Sequence, residues 1–68
     1  MTFTIETEQE QDGRWIAEIL EIPGALVYGT SQEEAIANVK ALALRVLADR
    51  LEKREASSDV SSVTFGAA

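Results

Sequence analysis

The chain has 68 residues, a net charge of −6, 46% hydrophobic residues, and neither cysteine nor histidine. A single small domain follows, without disulfides, thiolate metal sites or the commonest general base and zinc ligand. The acidic balance opposes nucleic acid, whose dense negative charge recruits Lys and Arg, and steers basic protein partners instead.

Residues 2–9 alternate: Phe3 and Ile5 point one way, Thr4, Glu6 and Glu8 the other. Period two with one apolar face predicts a half-buried strand. Asp12-Gly13 is the reversal signal of a hairpin. Residues 14–20 then form a second strand, with Trp15, Ala17 and Ile19 on one face and Ile16, Glu18 and Leu20 on the other. Opposed hairpin residues share a face, which places Phe3 and Ile5 with Trp15, Ala17 and Ile19. Pro23 cannot serve a central ladder and ends the strand; Gly24 supplies the corner. Residues 25–29 return as a third strand.

Ser31 followed by Glu34 has the spacing of a capping box, with Thr30 and Glu33 as a competing box one residue earlier. Glu33 and Glu34 suit the positive end of a helix dipole, and Arg50, Lys53 and Arg54 the negative end, so a helix is expected over 32–54. Ala35, Val39, Leu42, Ala43, Val46 and Leu47 make a stripe wide enough to cover a small sheet. Ala37, Ala41, Leu44, Ala48 and Leu51 make a second one, spaced like the seam of a helix pair. Burial of this second stripe against another copy is expected, giving a homodimer or higher oligomer; a broad core face with some exposed alanines is the alternative. After a Ser-rich loop, a further strand is placed at about 60–65, able to pair with a sheet edge in its own chain or in another's. One domain spans 1–68: an α+β fold of β-β-β-α-β order, a small antiparallel sheet packed on one long helix.

These elements resemble the HicB-like antitoxin family. The resemblance rests on Asp12-Gly13 at the hairpin, Trp15 and Ala17-Glu18 on the second strand, and Glu21-Ile22-Pro23-Gly24 at the break. Gly29, Ser31, Glu33-Glu34-Ala35, Asn38 and the Ala/Leu-rich helix complete it. It covers about residues 2–50 and is carried by the order and spacing of the set. It implies a truncated ribonuclease H-like fold, homo-oligomers, and a protein that sequesters a small basic HicA-type mRNA endoribonuclease toxin by masking its active surface. Ala25 stands where family members often have Cys. The DNA-binding domain common in the family is not expected here, and neither is direct nucleic-acid binding.

Carboxylates are the remaining candidates for chemistry. Glu6, Glu8 and Glu18 fall on the strand face away from the helix, where such groups either hold Mg²⁺ in a nuclease remnant, keep a solvated face from aggregating, or dock a basic surface. The docking reading takes Glu6, Glu8, Glu18 and Glu21 as toxin-facing residues. Trp15 reads as core or as an interface anchor, and Tyr28 equally as core or interface edge. The expectation is a non-enzymatic protein-binding module with no cofactor and no metal. No apolar run reaches the ~20 residues of a membrane span and the first residues show no signal core, so a cytoplasmic location is expected. An orphan structural oligomer without a toxin is the other non-enzymatic reading.

Overall fold

The computed structural model describes residues 1–54 and 61–68. The order is β1 (Thr2–Gln9), β2 (Trp15–Ile19), β3 (Leu26–Gly29), α1 (Gln32–Glu52) and β4 (Thr64–Ala67). The strands form one sheet in the order β3-β2-β1-β4, and α1 packs on one face of it across β3, β2 and β1. The expected α+β fold with β-β-β-α-β order is therefore present.

Strands β1, β2 and β3 are an antiparallel meander, with Ile5 opposite Ile19, Thr7 opposite Ala17 and Ala17 opposite Val27. This register puts Phe3, Ile5, Ala17 and Ile19 on the helix side, all buried, as the alternation requires. Trp15 joins that face as a half-buried residue packed against the core. From α1, Ala35, Val39, Ala43 and Leu47 complete the core. Small residues at Ala17, Ala35 and Ala43, each wholly buried, let the helix lie close to the sheet.

The sheet departs from the expected all-antiparallel form at β4. This strand runs parallel to β1, with Phe3 opposite Phe65 and Ile5 opposite Ala67, so the sheet is mixed. The reason is topological. Helix α1 carries the chain back to the end where β3 began, so the next strand enters in the direction of β3, which is also that of β1. Strand β4 lies later than the 60–65 expected; residue 60 is outside the described residues, as is most of the expected Ser-rich loop. The helix also ends two residues earlier than expected: Lys53 is its C-cap, and Arg54 follows with φ 57°.

The Asp12-Gly13 reversal forms differently from a two-residue turn. Gly13 N–H donates to Glu10 O (3.0 Å) and Glu10 N–H to Arg14 O (2.7 Å), leaving a three-residue loop. Gly13 has φ 91° whereas Asp12 stays out of the left-handed region. Such a loop has a turn followed by a left-handed glycine. At the second corner, Ile22 N–H donates to Ile19 O and Ala25 N–H to Ile22 O, successive tight turns that tuck Ile22 and Ala25 into the core.

Ser31 caps the helix: its Oγ accepts from Glu34 N–H at 3.1 Å. The returning bond goes one residue further back than in a standard box. The Glu34 carboxylate accepts from Thr30 N–H (3.1 Å) and Thr30 Oγ1–H (3.2 Å). Ser31 is thus the cap, and Thr30 is its support rather than a rival. Gly29, just before, is fixed by close approach. A Cβ there would overlap the backbone N of Ala35 and lie 2.9 Å from Ala35 Cα and 3.0 Å from Ser31 O.

Candidate functional site

One helix covers one face of the sheet, and among the described residues the other face is open. Alternation assigns that outer face Glu6 and Glu8 from β1, Ile16, Glu18 and Leu20 from β2 and its end, and Leu26 and Tyr28 from β3. The register brings them together: Glu6 opposes Glu18, Glu8 opposes Ile16, Ile16 opposes Tyr28 and Glu18 opposes Leu26. Leu20, Leu26 and Tyr28 are 49%, 43% and 45% exposed, far more than an apolar side chain keeps in a core. Three large apolar side chains and the half-buried Ile16 therefore share one open surface with three carboxylates.

Like charges placed directly opposite across a ladder cost stability, so Glu6 facing Glu18 is not explained by the fold alone. Among the described residues neither carboxylate enters an ion pair. Arg14 touches the patch: its guanidinium lies 4.6 Å from the centre of the Tyr28 ring. Its charge is already answered: Nε donates to Asp12 Oδ2 at 2.7 Å. Asp12 also accepts from Arg14 N–H at 3.0 Å, and these bonds, the backbone one foremost, lower the Asp12 pKa below 3.8. The patch therefore keeps an acidic balance, with Glu18 between Ile16 and Leu20 on β2 and its end, and Glu6 and Glu8 beside them on β1.

Glu21 occupies a different position from the other three acids expected to dock a partner. Its Oε1 accepts from Thr4 N–H and its Oε2 from Thr4 Oγ1–H, both at 2.7 Å. Thr4 and Leu20 face one another across β1 and β2, and only one backbone bond joins them, Leu20 N–H to Thr4 O. A regular antiparallel pair exchanges two. The chain turns away after Leu20, and the Glu21 carboxylate supplies the acceptor that the departing strand no longer offers. The Thr4 backbone N–H, then its hydroxyl, lower the Glu21 pKa below 4.5. Glu6, Glu8 and Glu18 thus share the patch, while Glu21 is committed to closing the ladder at its border.

No group of three or more carboxylates among the described residues is placed to hold a metal ion. The Mg²⁺ reading of Glu6, Glu8 and Glu18 finds no cage in this geometry, because an open sheet spreads its side chains apart instead of converging them.

The five residues of the second helix stripe, Ala37, Ala41, Leu44, Ala48 and Leu51, are all exposed in the single chain. They lie opposite the face that covers the sheet, so the fold makes no use of them. Two polar ties position the helix: Gln32 Nε2 donates to Thr7 Oγ1 at 3.0 Å, and Asn38 Nδ2 to Tyr28 O at 3.2 Å. Asn38 is among the residues that carry the resemblance, and here it fixes α1 to the edge strand.

Of the apolar members of the patch, Tyr28 was read from the sequence equally as core or interface edge, and the structure leaves it exposed; Ile16, Leu20 and Leu26 were not singled out as interface residues. The signal was available in β2, where Ile16 and Leu20 occupy outward positions. It was weaker in β3, whose four residues are too few for alternation to be read. No protein-family model matches the chain, and no curated protein or solved structure matches it. Among the described residues, no helix is long and apolar enough to cross a membrane.

Proposed function

We propose that this domain is a non-catalytic binding module whose outer sheet face takes a small basic protein. The observation that carries the reading is the patch itself: Leu20, Leu26 and Tyr28 exposed and Ile16 half-buried beside them, interleaved with Glu6, Glu8 and Glu18. Exposed apolar and aromatic side chains supply affinity when a partner excludes water from them. Acidic residues nearby speed encounter with a basic partner and reject acidic ones. The resemblance to HicB-like antitoxins specifies the partner class: a HicA-type mRNA endoribonuclease whose RNA-binding surface is basic by necessity. Covering that surface stops cleavage by steric masking. The module acts in the cytoplasm, with no cofactor.

The tagged domain, used to capture partners from its native cytoplasm, tests this. The expected result is a small basic protein that cleaves RNA alone and stops when the domain is added. Leu26→Arg, a change at an exposed position, should abolish capture while leaving the far-UV circular dichroism unchanged. Recovery of the domain's own copies alone would defeat the reading, as would capture undiminished by Leu26→Arg.

The structural homo-oligomer remains the second reading, favoured by the exposed stripe Ala37, Ala41, Leu44, Ala48 and Leu51. Pairing of two such helices is the most direct way to cover it.

A further inference from the structure

The two edges of the sheet are not alike. On β3, alternation turns the backbone groups of Leu26 and Tyr28 outward, because Ala25 O accepts from Ile19 on the β2 side. Half of these outward groups are already engaged within the chain. Leu26 N–H donates to Gly24 O at 3.0 Å, and Tyr28 O accepts from the Asn38 side chain at 3.2 Å. This edge is blunted.

Strand β4 is not. Thr64 N–H donates to Met1 O and Ala68 N–H to Ile5 O, both at 2.9 Å. Thr64, Gly66 and Ala68 therefore face β1, and Phe65 and Ala67 present their N–H and C=O groups to the outside. Proteins protect such edges with charge, proline, bulges or a covering element. Residues 61–68 contain no charged residue and no proline, and α1 has its main footprint on the other three strands.

We infer that β4 is a self-pairing edge, joined antiparallel about a two-fold axis at Gly66 to β4 of a second copy of this chain, so that one sheet runs through both. This goes beyond the binding role of the outer face and does not rest on it. Three observations favour a second copy as the occupant.

The first is charge. In a chain of net charge −6, most surfaces would bring carboxylates together in a symmetric pair, whereas β4 against β4 brings none.

The second is Gly66. Glycine inside a strand marks a close backbone approach, yet a Cβ at Gly66 would meet nothing within 4 Å in the single chain, and its φ is not in the left-handed region. The two-fold puts Gly66 opposite Gly66 of the second copy at a pair that exchanges no hydrogen bonds, where strands come closest.

The third is shape. In this register Phe65 exchanges both backbone bonds with Ala67 of the second copy, and opposed side chains share a face. Beside Ala67 lies a half-open cavity of about 230 Å³ between α1 and the sheet, lined by Ile5, Ile36, Lys40, Phe65 and Ala67 among others. Phe65 of the second copy arrives at its mouth, large against small. An isologous pairing of this kind makes each contact twice.

The test is light scattering on the purified chain and two variants, with amide exchange on the wild type. Gly66→Glu sets two carboxylates against each other at the axis while its side chain enters open space in the monomer. Ala67→Pro removes one outward N–H and leaves the bonds to β1 intact. The expected wild type has a mass of two or more chains, and each variant at most half the wild-type mass, with unchanged circular dichroism. The Phe65 and Ala67 amides of the wild type should exchange at least about tenfold slower than unbonded edge amides. A monomeric wild type at NMR concentrations overturns the inference. So does an oligomer that survives Gly66→Glu but dissociates with Leu44→Glu, which would assign association to the helix stripe alone. If both variants misfold, fast exchange at Phe65 and Ala67 in the wild type refutes the pairing and slow exchange supports it.

Discussion

Gly29 sits where the sheet hands over to the helix, and Gly29→Ala should be costly for one added methyl group. The backbone there is ordinary for an L-residue, since the positive-φ glycines among the described residues are Gly13 and Gly24. The penalty is therefore steric. The new Cβ would press on the backbone N and Cα of Ala35 and on Ser31 O, all atoms of the first helical turn. No side-chain rotation relieves backbone contacts, so β3 and α1 must separate. Forcing a methyl group into packed structure costs roughly 1–3 kcal/mol. A domain of this size has only about 3–5 kcal/mol to lose. At about 4–8 °C per kcal/mol, the midpoint of thermal unfolding should fall by roughly 5–20 °C. Urea titration followed by far-UV circular dichroism, at fixed protein concentration, measures the loss directly. Ala35→Gly should fail to rescue the variant, because the clash is with the Ala35 backbone and not its methyl group. A Gly29→Ala chain within about 0.5 kcal/mol of wild type would refute this account of the junction.

Two further outcomes follow from the polar contacts. Glu21→Gln should lower stability at neutral pH and cease to matter in acid: a carboxylate with a depressed pKa contributes stability above its unfolded value near 4.5, and that contribution disappears as pH falls through the lower folded pKa. Urea midpoints of both proteins from pH 7 down to pH 2 check this, and a difference constant with pH would show that the bonds to Thr4 carry no charge-dependent part. Ser31→Ala should cost about 1 kcal/mol, because Glu34 N–H loses its side-chain acceptor; an unchanged urea midpoint would mean that Thr30 takes over the cap.

The local code of the chain was readable without coordinates. Alternation in β1 and β2 assigned Phe3, Ile5, Ala17 and Ile19 to the core, and Ser31 with Glu34 located the helix start to within one residue, the competing box of Thr30 and Glu33 being decided by the structure. These signals survive because each depends on neighbours within a few positions, where covalent geometry fixes which side chains share a face. The type of the hairpin at Asp12-Gly13 was less determinate, since the same dipeptide serves loops of two and three residues, and pairing across the strands chooses between them.

Tertiary structure alone decided what depends on residues far apart in sequence. The direction of β4 follows from where α1 returns the chain, not from anything in residues 64–67. The bond from Glu21 to Thr4 exists because β2 leaves the ladder beside Thr4, seventeen residues earlier. The patch of Ile16, Leu20, Leu26 and Tyr28 among Glu6, Glu8 and Glu18 needs three strands in one register before it is a surface at all. Composition and pattern determined which faces are apolar; only the assembled sheet decided which apolar faces the single chain covers, because one helix has one face to give.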